Sequence, residues 1–399
     1  MAVSPDSSQH SRAPAALLIV VSILLTQGCA SSGLRTARAN YYMGNYVSAE
    51  ANLAKLPEGN TSRVLHLMER GMVRQARQDY SASIKDWLEA IDTSRKLDII
   101  SVTRDTSSMI INDKIQYFIG APYERTLLHS FNALNYFALR QWDDTAVEAR
   151  NIIGLQKNLN GYPDDAFSRY LSGVCFEMVD DNESAAFQYR QTSKALRNFQ
   201  IQDRSGQIIA SSNTPPGLAM PAPKKPGDSE LICFILIGRA PRETDSCNYI
   251  SAVPSEPYAE IFAGDTRLGR SYVFADTHEL MRATEKREAA LKALKTASRI
   301  VLKDAVADAV GGKHEKSSSL ERELIGEILR LVLFSLEQPD TRRWETLPRW
   351  LEIARVPCPP DLSEIRVEFI SNTGPVSRKI ISQSLVKNGR KFVAFVRYM

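Results

Sequence analysis

The chain has 399 residues, of which 43% are hydrophobic and 24% charged, and its formal net charge is +4. These ordinary globular values exclude global disorder, and the length favours two domains over one core. The charge is too small and too dispersed to favour nucleic-acid binding.

The N-terminus is predicted to be a bacterial lipoprotein signal over residues 1–28. Its apolar core, residues 15–25, suits a signal peptide and is shorter than the roughly 20 residues of a membrane span. Small Gly28 then precedes Cys29, whose thiol can accept the lipid. Cys29 is therefore the predicted lipid attachment site, and residues 29–36 the lipidated tether. The alternative is an ordinary secretory signal with an unrelated cysteine.

The residue after Cys29 is Ala30 rather than Asp, which in Gram-negative lipoproteins suits sorting to the outer membrane. Several acyl chains on one cysteine form a permanent anchor, since each buried CH₂ contributes about 0.8 kcal/mol. The predicted location is the bacterial outer membrane, with the lipid-anchored chain facing the periplasm.

Residues 37–205 are predicted to form a tetratricopeptide-like array of paired helices. Tyr46 and Tyr80 are 34 residues apart, which is the period of that repeat. Small Gly71 precedes Tyr80 by nine residues, as Ala133 precedes Trp142. The spacing predicts four helix pairs, and an irregular all-α bundle is the alternative.

Stacked helix pairs create a concave surface lined by the first helix of each pair. The repeat spacing assigns four side chains to this surface, where they are candidates to bind a protein or peptide partner. Each alone could instead be solvated surface or core. The candidates are Arg38, Tyr41, Met72 and Gln75.

Two segments resemble a family of uncharacterised bacterial outer-membrane lipoproteins with tetratricopeptide-like repeats. They are GAPYERTLLHSFNALNYFALRQWDDTAVEARN, residues 120–151, and DTRRWETLPRWLEIARVPCPP, residues 340–360. The chain departs from the family at Arg140, where Gly is favoured, and at Thr145, where Ala is favoured. The resemblance implies an envelope lipoprotein, sometimes thought to act beside curli-secretion-like lipoproteins, with no established enzymatic activity.

A Pro-rich linker is predicted over residues 206–229, followed by a C-terminal α+β domain over 230–399. The apolar run LICFILI, residues 231–237, predicts a buried strand. Residues 277–310 and 319–337 are predicted as an antiparallel helix pair.

The alternating tail of the chain contains Asn388-Gly389, which predicts a type I′ hairpin turn. The predicted fold is thus mainly α, with the repeat array followed by a smaller domain containing an antiparallel sheet.

The cysteines and charged clusters offer few candidates for chemistry. Cys233 and Cys247 are the best-placed pair for a disulfide, and Cys175 is expected to be a free core thiol. Residues 276–279 could form half of a metal site, but a helix cap explains them better. Asp340, Arg342, Arg343 and Trp344 could bind an anion, with a structural ion pair as the favoured interpretation.

No common catalytic motif occurs in a suitable context, so no enzymatic activity, metal or cofactor is expected. The predicted function is a protein-interaction scaffold in cell-envelope assembly or secretion. One alternative is a protein that binds or processes peptidoglycan or another glycan through its C-terminal domain. Another is a purely structural subunit of a surface-polymer machine.

Overall fold

The computed structural model describes residues 33–55, 61–107, 117–157, 159–240, 242, 257–310, 340–371, 374–381 and 385–399. The predicted signal peptide with Cys29, the predicted helix 319–337, and Cys247 lie outside these residues. Within them, no helix combines the length and hydropathy that a membrane span requires.

The prediction of a mainly α chain is wrong. The described residues are 47% helical and 22% strand, so the fold is a mixture of helices and sheets. The prediction failed because the strands after residue 228 build two packed sheets, not the single small sheet that the alternating tail suggested.

The N-terminal half consists of helices that pair in the predicted order. Helix α1 covers residues 33–42. The remaining helices of this half are α2 (Tyr46–Ala54), α3 (Arg63–Ala76), α4 (Tyr80–Ser107), α5 (Pro122–Ala138), α6 (Trp142–Gln156), α7 (Ala166–Glu177) and α8 (Asn182–Ala195). The pairs α1–α2, α3–α4, α5–α6 and α7–α8 correspond to the four predicted units.

The turn inside each pair has the same conformation. Gly44, Gln78, Arg140 and Asp180 have positive φ angles of 77°, 64°, 57° and 60°, and each lies two residues before the second helix begins. A positive φ favours glycine because it lacks a Cβ. Of the four residues in this position, only Gly44 adopts the turn without a steric cost to a Cβ atom.

Gly71 allows α3 and α4 to approach closely, and we expect Gly71→Ala to destabilise the fold. An added Cβ would lie 2.2 Å from Nε1 of Trp87, which is fully buried. Overpacking of this kind costs about 1–3 kcal/mol, measurable by urea unfolding. The control is Gly154→Ala in α6, where nothing lies within 4 Å of the new methyl group. That change should be neutral or stabilising, by up to about 1 kcal/mol. Equal effects of the two changes would contradict the close approach.

The strands form one hairpin and two larger sheets. The hairpin pairs β1 (Phe199–Ile201) with β2 (Ile208–Ala210). The five-stranded sheet has the order β10-β11-β3-β7-β6, and the four-stranded sheet has the order β5-β4-β8-β9. Their strands are β3 (Ser229–Ile237), β4 (Tyr258–Ala263), β5 (Thr266–Arg270), β6 (Tyr272–Asp276), β7 (Trp350–Cys358), β8 (Ile365–Ser371), β9 (Gly374–Ile381), β10 (Val386–Asn388) and β11 (Lys391–Tyr398).

Strand β3 confirms the buried strand predicted from the apolar run, and its two faces explain the layering. Ile232, Phe234 and Leu236 belong to the core shared with the helices. The alternate residues, including Cys233 and Ile235, belong to the core between the two sheets. When both faces of a strand are buried, its sequence is a continuous run of apolar residues instead of an alternating pattern. The layers are thus helices, five-stranded sheet and four-stranded sheet, and the array shares its core with the C-terminal half.

The five-stranded sheet is not purely antiparallel, because β11 lies parallel to β3. The predicted hairpin between β10 and β11 is present, but Asn388 is paired with Lys391, so the loop consists of Gly389 and Arg390. The side chain of Asn388 instead donates a hydrogen bond to the carbonyl of Met178, at 2.8 Å. The residue predicted to make the turn therefore anchors the hairpin to the end of α7.

The Pro-rich stretch includes β2 and then continues without regular structure to β3. It is nevertheless packed, since Leu218 and Met220 contact the shared core and Tyr272 donates a hydrogen bond to the carbonyl of Ala219.

After β6, helix α9 (Thr277–Val310) begins where predicted. Cys233 is a free, fully buried thiol.

Candidate functional site

The four predicted partner-binding residues lie inside the protein. Arg38 and Gln75 are each 5% exposed, Met72 is 1% exposed, and Tyr41 has no exposed surface. The amide of Gln75 donates to Oδ1 of Asn135 at 2.8 Å. The C-terminal half of the same chain contacts three of them: Arg343 lies against Arg38, and Arg397 lies against Tyr41 and Met72.

The part of the C-terminal half that contacts α1, α3 and α5 is residues 340–349, here called the docked segment. It contains no helix or strand before β7 begins, and residues 344–347 within it are buried. Arg342 donates hydrogen bonds of 2.9 Å to the carbonyl of Thr61 and the hydroxyl of Ser62, just before α3. The docked segment thus lies on the array as a peptide ligand would, although it belongs to the same chain.

In three of the four helix pairs, the first helix supplies one charged side chain that binds the backbone of this segment. Arg38 of α1 donates to the carbonyl of Arg343 at 2.6 Å. Glu69 of α3 accepts from the N–H of Glu345 at 3.2 Å. Glu124 of α5 accepts from the N–H of Trp344 at 2.8 Å. These contacts satisfy a backbone that has no ladder partners of its own.

The electrostatics of this contact depend on burial. Burial raises the pKa of Glu124 to about 7, against the lowering effect of the two backbone N–H groups that it accepts. Burial also raises the pKa of Glu69, although the charge of Arg38 opposes it. Arg38 contacts Glu69 at 2.8 Å and Glu345 at 2.9 Å, so one guanidinium joins the array to the docked segment.

Trp344 is the centre of the docked segment. Its side chain is 1% exposed and packs edge-on against the rings of Trp87 and Phe131, with both centroid distances 6.0 Å. The indole N–H donates to the hydroxyl of Thr346 at 2.9 Å. The side chain therefore fills the array between α4 and α5.

The other charged residues of the predicted cluster form structural ion pairs. Arg342 pairs with Asp340 at 2.7 Å, and Arg343 pairs with Glu285 of α9 at 2.6 Å. Asp276 accepts a hydrogen bond from the N–H of His278 at 2.8 Å, as a helix cap does. Among the described residues, no group of three His, Cys, Asp or Glu side chains is placed to hold a metal ion.

A cleft remains open beside the docked segment, where the first two helix pairs meet the two sheets. This junction cleft has a volume of about 370 Å³. The array contributes Tyr41, Tyr46, Met72, Gln75, Ala76, Gln78 and Tyr80, and the strands contribute Leu236, Lys379, Ile380, Phe395, Val396, Arg397 and the adjoining Met399. Three of the four predicted partner-binding residues thus line it.

The walls of the junction cleft are aromatic. The rings of Tyr41 and Tyr46 have centroids 5.7 Å apart, and Tyr80 packs edge-on against Phe395 at 5.8 Å. The guanidinium of Arg397 lies 5.1 Å from the ring centroid of Tyr41. Its described lining contains no Asp or Glu, so the convergent carboxylates that would favour a glycan-processing site are not observed there.

Comparison with known proteins adds little to this geometry. No family model matches the chain, and no curated protein matches it. The chain is similar to a solved structure of the Rap conjugation gene regulator of the plasmid pLS20 in complex with the Phr* peptide, at 12% sequence identity. The alignment covers 49% of this chain and 48% of that chain, about half of each, with a TM-score of 0.28. A TM-score this low carries no argument about function.

A second buried polar cluster, here called the Arg355 network, joins the array to the sheet. Arg355 of β7 contacts both carboxylate oxygens of Glu177 in α7, at 2.7 and 2.9 Å. It also contacts both oxygens of Glu230 in β3, each at 2.9 Å. Lys391 lies 3.0 Å from Glu177, and Lys224 lies 2.9 Å from Glu230. Every charge in this network has a partner, which marks it as a structural junction.

The two cations that line the junction cleft, Lys379 and Arg397, were not predicted as site residues from the sequence. Both lie on strands, β9 and β11, whose alternation was recognised. The pattern of a strand shows which residues share a face, but it does not reveal that the face meets a helix 300 residues earlier in the chain.

Proposed function

We propose that this chain is a lipid-anchored binding protein of the bacterial outer membrane that faces the periplasm and holds a protein or peptide partner in the junction cleft. Its process would be envelope assembly or secretion, as its resemblance to the lipoprotein family implies. The junction cleft is the observation that carries the proposal. The docked segment contacts α1, α3 and α5, whereas the cleft beside it stays open. The cleft is lined by aromatic side chains and Arg397, residue types that are enriched at binding interfaces.

The binding part of the proposal can be tested by site-specific photo-cross-linking in cells. A photoreactive residue at Ile380, which lines the junction cleft and is 66% exposed, should give a discrete protein adduct. The same residue at Val147, which is 49% exposed on α6 and does not line the cleft, is the matched control. Adducts of equal yield at both positions, or none at Ile380, would reject the cleft as the binding site.

The anchoring part has a separate test in the same cells. Cys29→Ser removes the predicted lipid attachment atom, so the protein should leave the outer-membrane fraction and stop incorporating radiolabelled palmitate. A Cys29→Ser protein that still fractionates with the outer membrane would contradict the anchoring proposal. The result of the cross-linking test would not be affected.

A further inference from the structure

The cations of the junction cleft are not neutralised by the chain itself. Within the described residues, Lys379 and Arg397 form no ion pair. The ammonium group of Lys379 donates to the carbonyl of Arg397, and the guanidinium donates to the carbonyl of Thr346 at 2.5 Å. Partial desolvation of the ammonium group, together with the charge of Arg397, lowers the pKa of Lys379, although the residue as a whole is exposed. Both cations of the cleft therefore have only neutral hydrogen-bond partners among the described residues, although the neighbouring Arg378 has a carboxylate 2.7 Å away on Glu368.

The same region contains polar atoms with unused hydrogen-bonding capacity. The hydroxyl of Tyr41 and Nε of Arg397 are both buried, and neither has a hydrogen-bond partner. Burial raises the pKa of Tyr41 well above its ordinary value, so the phenol stays protonated and remains a donor. Buried polar groups without partners are uncommon in native proteins and require an explanation. Here both unpaired groups are donors, and both belong to residues that line the junction cleft.

The size of the cleft limits what it can hold. Its volume of about 370 Å³ lies near the lower end of the roughly 300–1,000 Å³ that is usual for ligand pockets. A folded domain cannot enter such a space, but the end of a polypeptide chain can. The apolar lining from Tyr46, Tyr80, Phe395 and Ile380 adjoins the two cations, so one ligand can contact both.

We propose that the junction cleft binds the free C-terminal carboxylate of a partner polypeptide that ends in an apolar residue. The carboxylate lies against Lys379 and Arg397, and the last side chain packs among the aromatic walls. At a chain end these two groups are attached to one Cα, which matches the adjacency of cations and apolar surface in the cleft. This inference rests on the proposed function and names the chemical class of its partner.

The test is fluorescence anisotropy with the full-length protein in detergent and a labelled peptide ending in Leu-Phe. The free acid should bind, and the same peptide with a C-terminal amide should bind at least about tenfold more weakly, since a hydrogen-bonded charge is lost. Lys379→Glu should abolish binding of the free acid. The variant loses the hydrogen bond from Lys379 to the carbonyl of Arg397, so circular dichroism and urea unfolding must first show that it is folded.

The matched control is Arg378→Glu, which makes the same change of charge one residue earlier on β9. Arg378 is 64% exposed and does not line the cleft, so this variant should bind the free acid normally. Equal affinity for acid and amide, equal effects of the two charge reversals, or equally tight binding of octanoate would each overturn the inference. If the Ile380 cross-link persists while the free acid does not bind, the proposed function stands and this inference fails.

Discussion

Replacing Arg355 by methionine is expected to lower the free energy of unfolding by about 3–5 kcal/mol, the usual cost of breaking a buried ion pair. The side chain of Arg355 is 1% exposed and holds Glu177 and Glu230 by two hydrogen bonds each. Methionine replaces the apolar stem of the arginine but carries no charge, so both carboxylates would remain buried with Lys391 and Lys224 as their charged partners. Urea unfolding followed by circular dichroism at pH 7 measures the effect.

Two further variants separate this penalty from a general effect of losing an arginine. Arg190→Met breaks the exposed pair between Arg190 and Asp203, whose side chains are 53% and 44% exposed. Exposed pairs contribute at most about 1 kcal/mol, so this control should lose little. Adding Glu177→Gln and Glu230→Gln to Arg355→Met removes the two buried carboxylates that have lost their arginine. This triple variant should recover part of the lost free energy of unfolding. A loss from Arg355→Met no greater than that of the control would contradict the network.

The same network predicts how the stability changes in acid. Burial alone would raise the pKa of Glu177, but the charge and hydrogen bonds of Arg355 outweigh it and lower the pKa to about 2. A folded-state pKa below the unfolded value of 4.5 gives stability that is complete above pH 4.5 and is lost as the pH falls towards 2. The contribution is about 3 kcal/mol. Glu177→Gln should therefore show a shallower decline of stability across this pH range than the parent protein.

Trp344→Ala is expected to cost about 3–5 kcal/mol and to release the docked segment from the array. The substitution empties the space beside Trp87 and Phe131 that the indole fills. Because Arg342 and Arg343 precede this position, release can be followed by trypsin. Cleavage after these arginines should be slow in the parent protein and much faster in the variant at the same urea concentration.

Trp350→Ala is the appropriate control for this prediction. Trp350 lies six residues later, at the start of β7, and is only partly buried, with Arg349 over its ring at 4.2 Å. Its truncation should cost less, and it should leave the tryptic sites at Arg342 and Arg343 protected. If Trp344→Ala left those sites equally protected, Trp344 would not be the residue that holds the docked segment.

The array was predictable because its signals are local. Gly71 and Trp87 are 16 residues apart, and the second helices of the units begin at Tyr46, Tyr80 and Trp142, the aromatic positions that set the predicted phase. Even the irregular fourth unit, where Asn182 replaces the aromatic, begins its second helix at that residue. Helical periodicity repeats every few residues, so a single sequence records it.

The contacts of Arg38 show what sequence periodicity cannot predict, namely the partner of a side chain that lies far away in the chain. Periodicity predicted a side of the array for Arg38, but it could not show that Glu345, 307 positions later, would be its ion-pair partner. The fold class was misjudged for a similar reason. The central strands of the five-stranded sheet pair with partners far away in the chain, and the parallel pairing of β3 with β11 joins residues more than 150 positions apart.

The sequence by itself determined the paired helices, the buried strand β3 and the terminal hairpin. These features follow from residue spacing and turn chemistry, which act over a few residues. Only the tertiary structure decided that the docked segment contacts α1, α3 and α5, and that Lys379 and Arg397 meet Tyr41 at an open cleft. The physical reason is that burial and ion pairing depend on which surfaces meet, and non-local contacts between distant segments decide that.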